Sequence, residues 1–485
     1  MRAPHGCLVA AVAALVLFCR SGVVSSQEPN NDARPNIVVF YADDLAAWAL
    51  GSYGQTPSVT PNLDRLAARG ARFTQAFTIT PVCSPSRAGM MTGRYPTQLK
   101  IDDWIDPGSE PDRGLALAEL TWPEVLQRAG FRTGLFGKWH LGTRDEFHPT
   151  SQGYDQFIGM RHGAAKPIGP TMEIDGKDQV VPGAVAEILV EKAGEFIEAN
   201  RTRPFLASIH FREPHAPYAP VPEQDSAAVR DLTIAVPDYP GLDRKRATRL
   251  MREYLASVHL IDRTVGKLLD RITALGLDGN TIIVFTSDHG YMIGHHGLLH
   301  KGNGNWILEG RTDRRPNMFD DAIRVPLLIH WPGVTREGQV IERVVSNLDL
   351  FPTLLAMARV DVPASVVISG QNLGPMLRGA AWPRADVLFG QYDMHHGTRA
   401  SMRMLRTPER KLILHFEPGA QDELYDLKRD PGETANLVPA GGELPRGYKD
   451  ILNDLIARMR AIQDPRTSEA ELRARSFTSA PAPKT

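Results

Sequence analysis

Cysteine is nearly absent from this chain. Three occur in 485 residues, and two of them, Cys7 and Cys19, bound an apolar run close to the N-terminus. That run follows Arg2 and His5, is short for a bilayer crossing, and precedes Val24 and Ser26, which suit a cleavage site ahead of Gln27. Residues 1–26 therefore read as a removable export signal, and Phe18 before Cys19 excludes a lipoprotein signal. A mature chain starting at Gln27 keeps one thiol, Cys83, so no internal disulfide is possible and its sulfur needs another explanation. No later stretch is apolar enough for a membrane span, so no stable membrane insertion is expected. An excess of one charge is missing too. Lys and Arg number 55 against 56 Asp and Glu. No global field draws in nucleic acid or an anionic membrane, and any anion must be gripped locally. Internal repeats are absent. A single glycosylation pattern, Asn200-Arg201-Thr202, is present.

What is present is an alternation of strand and helix patterns. Apolar runs at Asn36–Tyr41, Thr133–Phe136, Phe205–Phe211, Thr281–Thr286 and Val325–Trp331 are strand-length and unbroken, which suits strands buried on both faces of a sheet. Helical patterns cover Pro61–Gly70, Trp122–Gly130, Ala184–Asn200 and Asp243–Leu275. The fold class expected is α/β, a large mixed and mostly parallel sheet sandwiched by helices. After a helix at Asn347–Ala358 the texture shifts to short strands at Val387–Gln391, Met402–Arg406 and Lys411–Phe416, with Glu423–Leu427 ahead of a turn-like Asp430-Pro431-Gly432-Glu433, then a helix at Tyr448–Ile462. This predicts a smaller antiparallel C-terminal subdomain. The expected division is 27–360 for the main domain, 361–465 for the subdomain and 466–485 for a disordered tail.

Polar residues gather where these strands end. Asp43, Asp44, Lys138, His140, His215, Asp288 and His289 all follow strand carboxyl ends, which converge on one edge of a parallel sheet. Asp43, Asp44 and Asp288 supply hard oxygens that favour Ca²⁺ or Mg²⁺ over Zn²⁺, and His289 adds a softer donor. Pro85 and the residues after it predict a helix starting just after Cys83, whose N-terminus lowers a thiol pKa or holds an anion. Arg87 lies one turn in and can face that anion. Lys138 and His140 share a side if the segment is extended, one suited to holding an oxyanion and the other to moving a proton. His215 sits in a loop stiffened by Pro214 and Pro217, and Lys301 in a glycine-flanked stretch. Taken singly, either has a bland reading as a surface residue.

Together these elements resemble the formylglycine-dependent sulfatases of the alkaline phosphatase superfamily. Cys83-Ser84-Pro85-Ser86-Arg87 through Thr92-Gly93-Arg94 resembles the signature in which the cysteine becomes formylglycine, and Gly137-Lys138-Trp139-His140-Leu141-Gly142 resembles the second signature. Pro35-Asn36-Ile37 through Asp43-Asp44, and Ser287-Asp288-His289-Gly290 through Lys301, follow the family order, and Glu423–Glu433 resembles its C-terminal subdomain. The resemblance implies a hydrated aldehyde at Cys83 that attacks sulfur and forms a covalent sulfated enzyme. It implies one Ca²⁺ bound by Asp43, Asp44, Asp288 and His289 together with the modified Cys83. His289 stands where many members carry Asn. Arg87 would stabilise the hydrate, Lys138 and Lys301 would offset charge on the sulfate oxygens, His215 would assist the leaving alcohol, and His140 would take the proton that lets the aldehyde re-form. The implied partners are a sulfated small molecule or saccharide and a maturing enzyme that makes formylglycine. The lone mature cysteine favours a bacterial periplasmic or secreted setting over a lysosome.

The alternative on the same centre is a phosphate or phosphonate ester hydrolase. From another class comes a catalytically silent sugar-binding relative, against which the intact motifs argue. Trp104, Asp102, Asp103, Arg161, His162, His295, His296, His300, His395, His396 and Arg403 are the possible substrate-pocket residues, and most are expected to be surface or structural positions.

Overall fold

Strand β1 (Asn36–Asp43) is buried along its whole length and shows how the layers arise. Val38, Phe40 and Ala42 point into one apolar core, while Ile37, Val39 and Tyr41 point into another. A strand with apolar side chains on both faces needs cover on both faces. The computed structural model describes residues 34–382, 384–439 and 444–476. The proposed export signal, with Cys7 and Cys19, lies outside them.

The main sheet adds β2 (Ala71–Phe73), β3 (Arg132–Lys138), β4 (Gln156–Met160), β5 (Thr171–Ile174), β6 (Lys177–Val180), β7 (Phe205–Pro214), β8 (Thr281–Ser287), β9 (Leu327–His330) and β10 (Gln339–Ile341). Its ten strands run in the order β10-β2-β9-β8-β1-β7-β3-β4-β5-β6. The central strands β8, β1, β7, β3 and β4 are mutually parallel. Strand β9 is antiparallel to both its neighbours, and the β4-β5-β6 edge is antiparallel. The sheet is mixed and mostly parallel, as the sequence indicates. One core packs helices α1 (Pro61–Arg69), α4 (Val185–Ala199) and α5 (Arg244–Ala274) against it. The other receives α2 (Cys83–Thr92), α3 (Trp122–Arg128) and α6 (Leu350–Met357).

A four-stranded antiparallel sheet follows, β11 (Leu388–Met394), β12 (Ala400–Arg406), β13 (Arg410–His415) and β14 (Glu423–Asp426). One side shares a core with Ile79 and Val82 just ahead of Cys83, through Tyr392, Met402 and Met404. The other packs on α7 (Tyr448–Ala461). The small sheet is thus packed directly against the segment that leads into α2. Of the tail expected to be disordered, residues 477–485 lie outside the described residues, and the part before them is helical. Residues Thr467–Ser476 form helix α8. Asp464, buried at its start, takes Arg403 Nε at 2.5 Å, and Arg473 reaches Asp422 at 3.0 Å. Charge there is spent on ion pairs to the small sheet, which composition alone does not reveal. Among the described residues no helix is long and apolar enough to cross a membrane.

Candidate active site

The carboxyl ends of β1, β3, β7 and β8 deliver Asp43, Lys138, Pro214 and Ser287 to one edge, and Asp44, His140, His215, Asp288 and His289 follow directly. Close approach of β3 to β7 needs Gly137, which has φ +122°. A Cβ there would lie 1.9 Å from the His210 carbonyl oxygen. Helix α2 starts at Cys83 itself. Asn347 fixes that start by donating to the Ser86 carbonyl at 3.0 Å and accepting from Ile79 N at 3.3 Å. The Ser86 hydroxyl donates to the Asp288 carbonyl. Asp44, His140 and His300 hold φ values of +68°, +61° and +84°, a left-handed concentration that marks a site under constraint.

The Cys83 sulfur is buried and lies 3.0 Å from Lys301 Nζ, 3.4 Å from His289 Nε2 and 3.7 Å from Asp43 Oδ1. Lys138 Nζ meets Asp43 Oδ2 at 2.6 Å, and Lys301 Nζ meets Asp44 Oδ1 at 2.6 Å. Arg87 donates Nε to Asp288 Oδ2 at 3.0 Å and Nη1 to the Lys138 carbonyl at 3.1 Å, with its guanidinium 5.1 Å from the Tyr41 ring centroid. Three buried carboxylates thus face Arg87, Lys138 and Lys301. Removal from water penalises every one of these charges, and the mutual pairing offsets that penalty.

Titration follows from this balance. Burial pushes the Cys83 thiol up, but Lys138 and Lys301 outweigh it and hold it well below its ordinary value. Burial likewise raises Asp43, and Lys138, His215 and Arg87 more than reverse the effect. Asp288 goes the other way, raised by burial and by Asp43 to about 7. Burial and the Lys138 cation lower His140 to about 4, so its imidazole is neutral near neutral pH. Carbonyls only accept, so His140 Nε2–H donates to Ile105 O at 3.0 Å, and Nδ1 carries its lone pair without a partner. The same logic sets His289, whose Nδ1–H donates to Gly290 O at 2.9 Å. Burial lowers His289, but Asp288, Asp44 and Cys83 outweigh it and raise its pKa, so Nε2, 3.2 Å from Asp44 Oδ1 and 3.4 Å from Asp288 Oδ1, favours a proton until a cation takes its place. His215 donates Nδ1–H to the Ala216 carbonyl at 2.7 Å and holds Nε2 4.0 Å from Asp44 Oδ2.

Donor atoms of Asp43, Cys83, Asp288 and His289 lie within 4.8 Å of one another, as do those of Asp43, Asp44, Cys83 and His215. The fixed His289 tautomer and the three carboxylates fit a divalent cation, and the oxygen majority fits a hard one. All ten sequence-selected site residues meet at this edge. Lys138 and His140 are not joined by simple strand alternation, because β3 ends at Lys138 and His140 is left-handed. Lys138 still lowers the Cys83 thiol, and Cys83 in turn raises His140 against the larger effect of burial.

The wider pocket set divides. Arg403 is buried between Asp393 and Asp464, His295 packs at a tilt against Trp48, and His296 stacks on Phe319. Arg161 is engaged by Glu173 and Asp145. These are structural roles. His210 escaped sequence reading although it lies under the centre. Its Nδ1–H donates to the Lys138 carbonyl at 3.2 Å, its ring lies 5.1 Å from Tyr41, and burial, aided by Arg87, lowers it to about 3. A histidine inside an unbroken apolar strand was the available signal. Tyr254 was also missed; its hydroxyl donates to the Asp44 carbonyl at 2.8 Å.

Comparison with known proteins agrees with this geometry. N-acetylglucosamine-6-O-sulfatase of Bacteroides thetaiotaomicron is 26% identical, covering 90% of this chain and 88% of its own. Human arylsulfatase A is 32% identical, covering 83% of each chain. A solved structure in complex with its substrate, D-glucosamine-2-N,6-O-disulfate, superposes with a TM-score of 0.77 at 25% identity, covering 89% of this chain and 99% of that one. A family model for the C-terminal part of N-sulphoglucosamine sulphohydrolase matches residues 309–464. The sulfatase family model matches residues 35–360, the span that holds every residue of the centre around Cys83, and the chain belongs to the sulfatase family of sulfate ester hydrolases.

Proposed function

We propose that this sulfatase is exported and cleaves sulfate monoesters of saccharides, with residue 83 carried as formylglycine and one Ca²⁺ held by Asp43, Asp44, Asp288 and His289. The observation that carries the reading is the Cys83 sulfur, buried at the start of α2 within 3.7 Å of Asp43, His289 and Lys301. A structural cysteine has no need of two lysines and a carboxylate triad. When bound, the cation neutralises the carboxylates and leaves the centre net positive, which suits an anionic ester. As an aldehyde hydrate, residue 83 offers two hydroxyls on one carbon, one to attack sulfur and one whose deprotonation releases sulfate. Lys138 and Lys301 are placed to receive charge growing on the sulfate oxygens, where one fixed donor is worth about 2.7–4 kcal/mol. Arg87 holds Asp288 and the Lys138 backbone in place. His215, part-buried and with its pKa lowered by burial, is assigned to the leaving alcohol, which it protonates from Nε2 once that nitrogen has taken up a proton. His140, neutral and with Nδ1 free, takes the proton of the second hydroxyl.

The saccharide assignment draws on the sugar sulfatase relative and the glucosamine disulfate bound in the similar structure. Export draws on the apolar segment before Gln27. Rates on 4-nitrophenyl sulfate, phosphate and phenylphosphonate, measured beside Cys83→Ala, test the chemistry. Sulfate turnover that vanishes in Cys83→Ala is expected. A dominant phosphonate rate, or an active Cys83→Ala, contradicts the reading.

A further inference from the structure

A second group of polar side chains stands at the lip of this centre. The segment leading from Ile101 to Arg113 is pinned at Ile105. Its N–H donates to Ser84 Oγ at 2.9 Å, one residue from the nucleophile, and its carbonyl accepts from His140 at 3.0 Å. Asp103, two residues earlier, is fully buried and accepts the backbone N–H groups of His395 and His396 at 2.9 and 3.1 Å. Those histidines directly follow β11, so Asp103 ties the tip of the small sheet to the nucleophile segment. Tyr392 on β11 is fully buried and feels the charges of both Asp103 and Cys83.

On the solvent side of that tie, Glu110 accepts from His395 Nε2 at 3.2 Å and from His396 Nε2 at 3.0 Å. The Trp104 ring lies against His396 with centroids 4.4 Å apart. A metal ion is a poor occupant. Arg113 Nη1 already sits 2.6 Å from Glu110 and 3.4 Å from His395 Nε2, and Asp103 spends its oxygens on backbone N–H groups. Imidazoles that donate and a carboxylate that accepts, set beside an indole ring, match vicinal hydroxyls and the C–H face of a sugar ring. We propose that Glu110, His395 and His396, with the Trp104 ring, form a fork that binds the hydroxyls of a saccharide on the alcohol side of the scissile ester and selects which sulfate ester is cleaved. This rests on the sulfatase chemistry proposed for Cys83. Asp103 is a positioning residue for the fork.

The test uses the full enzyme produced with its maturing partner. Probes are 4-nitrophenyl sulfate, N-acetylglucosamine 6-sulfate, N-acetylgalactosamine 6-sulfate and D-glucosamine-2-N,6-O-disulfate. For His396→Ala and the isosteric Glu110→Gln, the ratio of kcat/KM on the best saccharide to that on 4-nitrophenyl sulfate should fall roughly tenfold or more, chiefly through KM. His396→Gln, which restores a hydrogen-bonding group, should recover part of the loss. An unchanged ratio in both variants overturns the fork, as does a wild type that cleaves the nitrophenyl ester and none of the saccharides. A mature wild type inert to every sulfate ester overturns the chemistry at Cys83, and the fork with it.

Discussion

His210 is the buried group whose removal has the most calculable consequence. It lies under the active centre, neutral because burial and the nearby Arg87 lower it from its ordinary 6.5 to about 3. The unfolded chain takes up a proton at this residue as pH falls through the ordinary value, whereas the folded chain does not until the lowered value is reached. Stability is therefore fully present above the unfolded pKa and is lost as pH falls toward the folded one. Between about pH 7 and about pH 4 this single residue costs the fold about 3 kcal/mol, an order-of-magnitude figure. His210→Phe should remove that loss. The aromatic contact with Tyr41 persists, the unpartnered Nε2 disappears, and the Lys138 carbonyl keeps its bond from Arg87. The assay is the thermal midpoint of wild type and variant across this pH range. The variant should be close to wild type at neutral pH and should lose fewer degrees on acidification. Parallel pH curves for the two proteins would refute the claim that His210 is held neutral.

Other outcomes bear on the centre itself. His140→Ala should lower kcat about 10²–10⁴-fold and leave a rapid burst of alcohol product ahead of slow turnover; a steady rate with no burst contradicts the base assignment. Chelation of calcium should lower both activity and the thermal midpoint, and indifference of both argues against the cation site. Lys138→Met strips the closest partner from buried Asp43, a change worth about 3–5 kcal/mol of stability when no second partner compensates. Arg87, 3.8 Å from Asp43, should keep the loss near the lower end, and a stabilised variant would contradict the pairing.

Strand ends carried most of the legible information. An unbroken apolar run followed by Asp43-Asp44, or by Ser287-Asp288-His289, states both that a strand is buried and where it opens to a ligand. The centre was readable because all of its residues but Lys301 adjoin such an end or the start of α2, and Lys301 entered through the family resemblance alone. The lip was not. His395 and His396 stand some 290 residues from Asp103, and tertiary contacts, among them two backbone N–H groups on one buried carboxylate, bring them together. Nothing local to either segment encodes that contact. Helix α8 was missed for a similar reason, since its charged composition resembles a solvated tail and its ion pairs are tertiary.

The account stands on the chemical state of residue 83. Peptide mass spectrometry of catalytically active enzyme, purified from its natural host, reads that state directly. The peptide spanning Cys83 should be lighter than its thiol form, with sulfur replaced by oxygen and two hydrogens lost, and activity should scale with the converted fraction. Full turnover by protein whose residue 83 is an intact thiol would contradict the account.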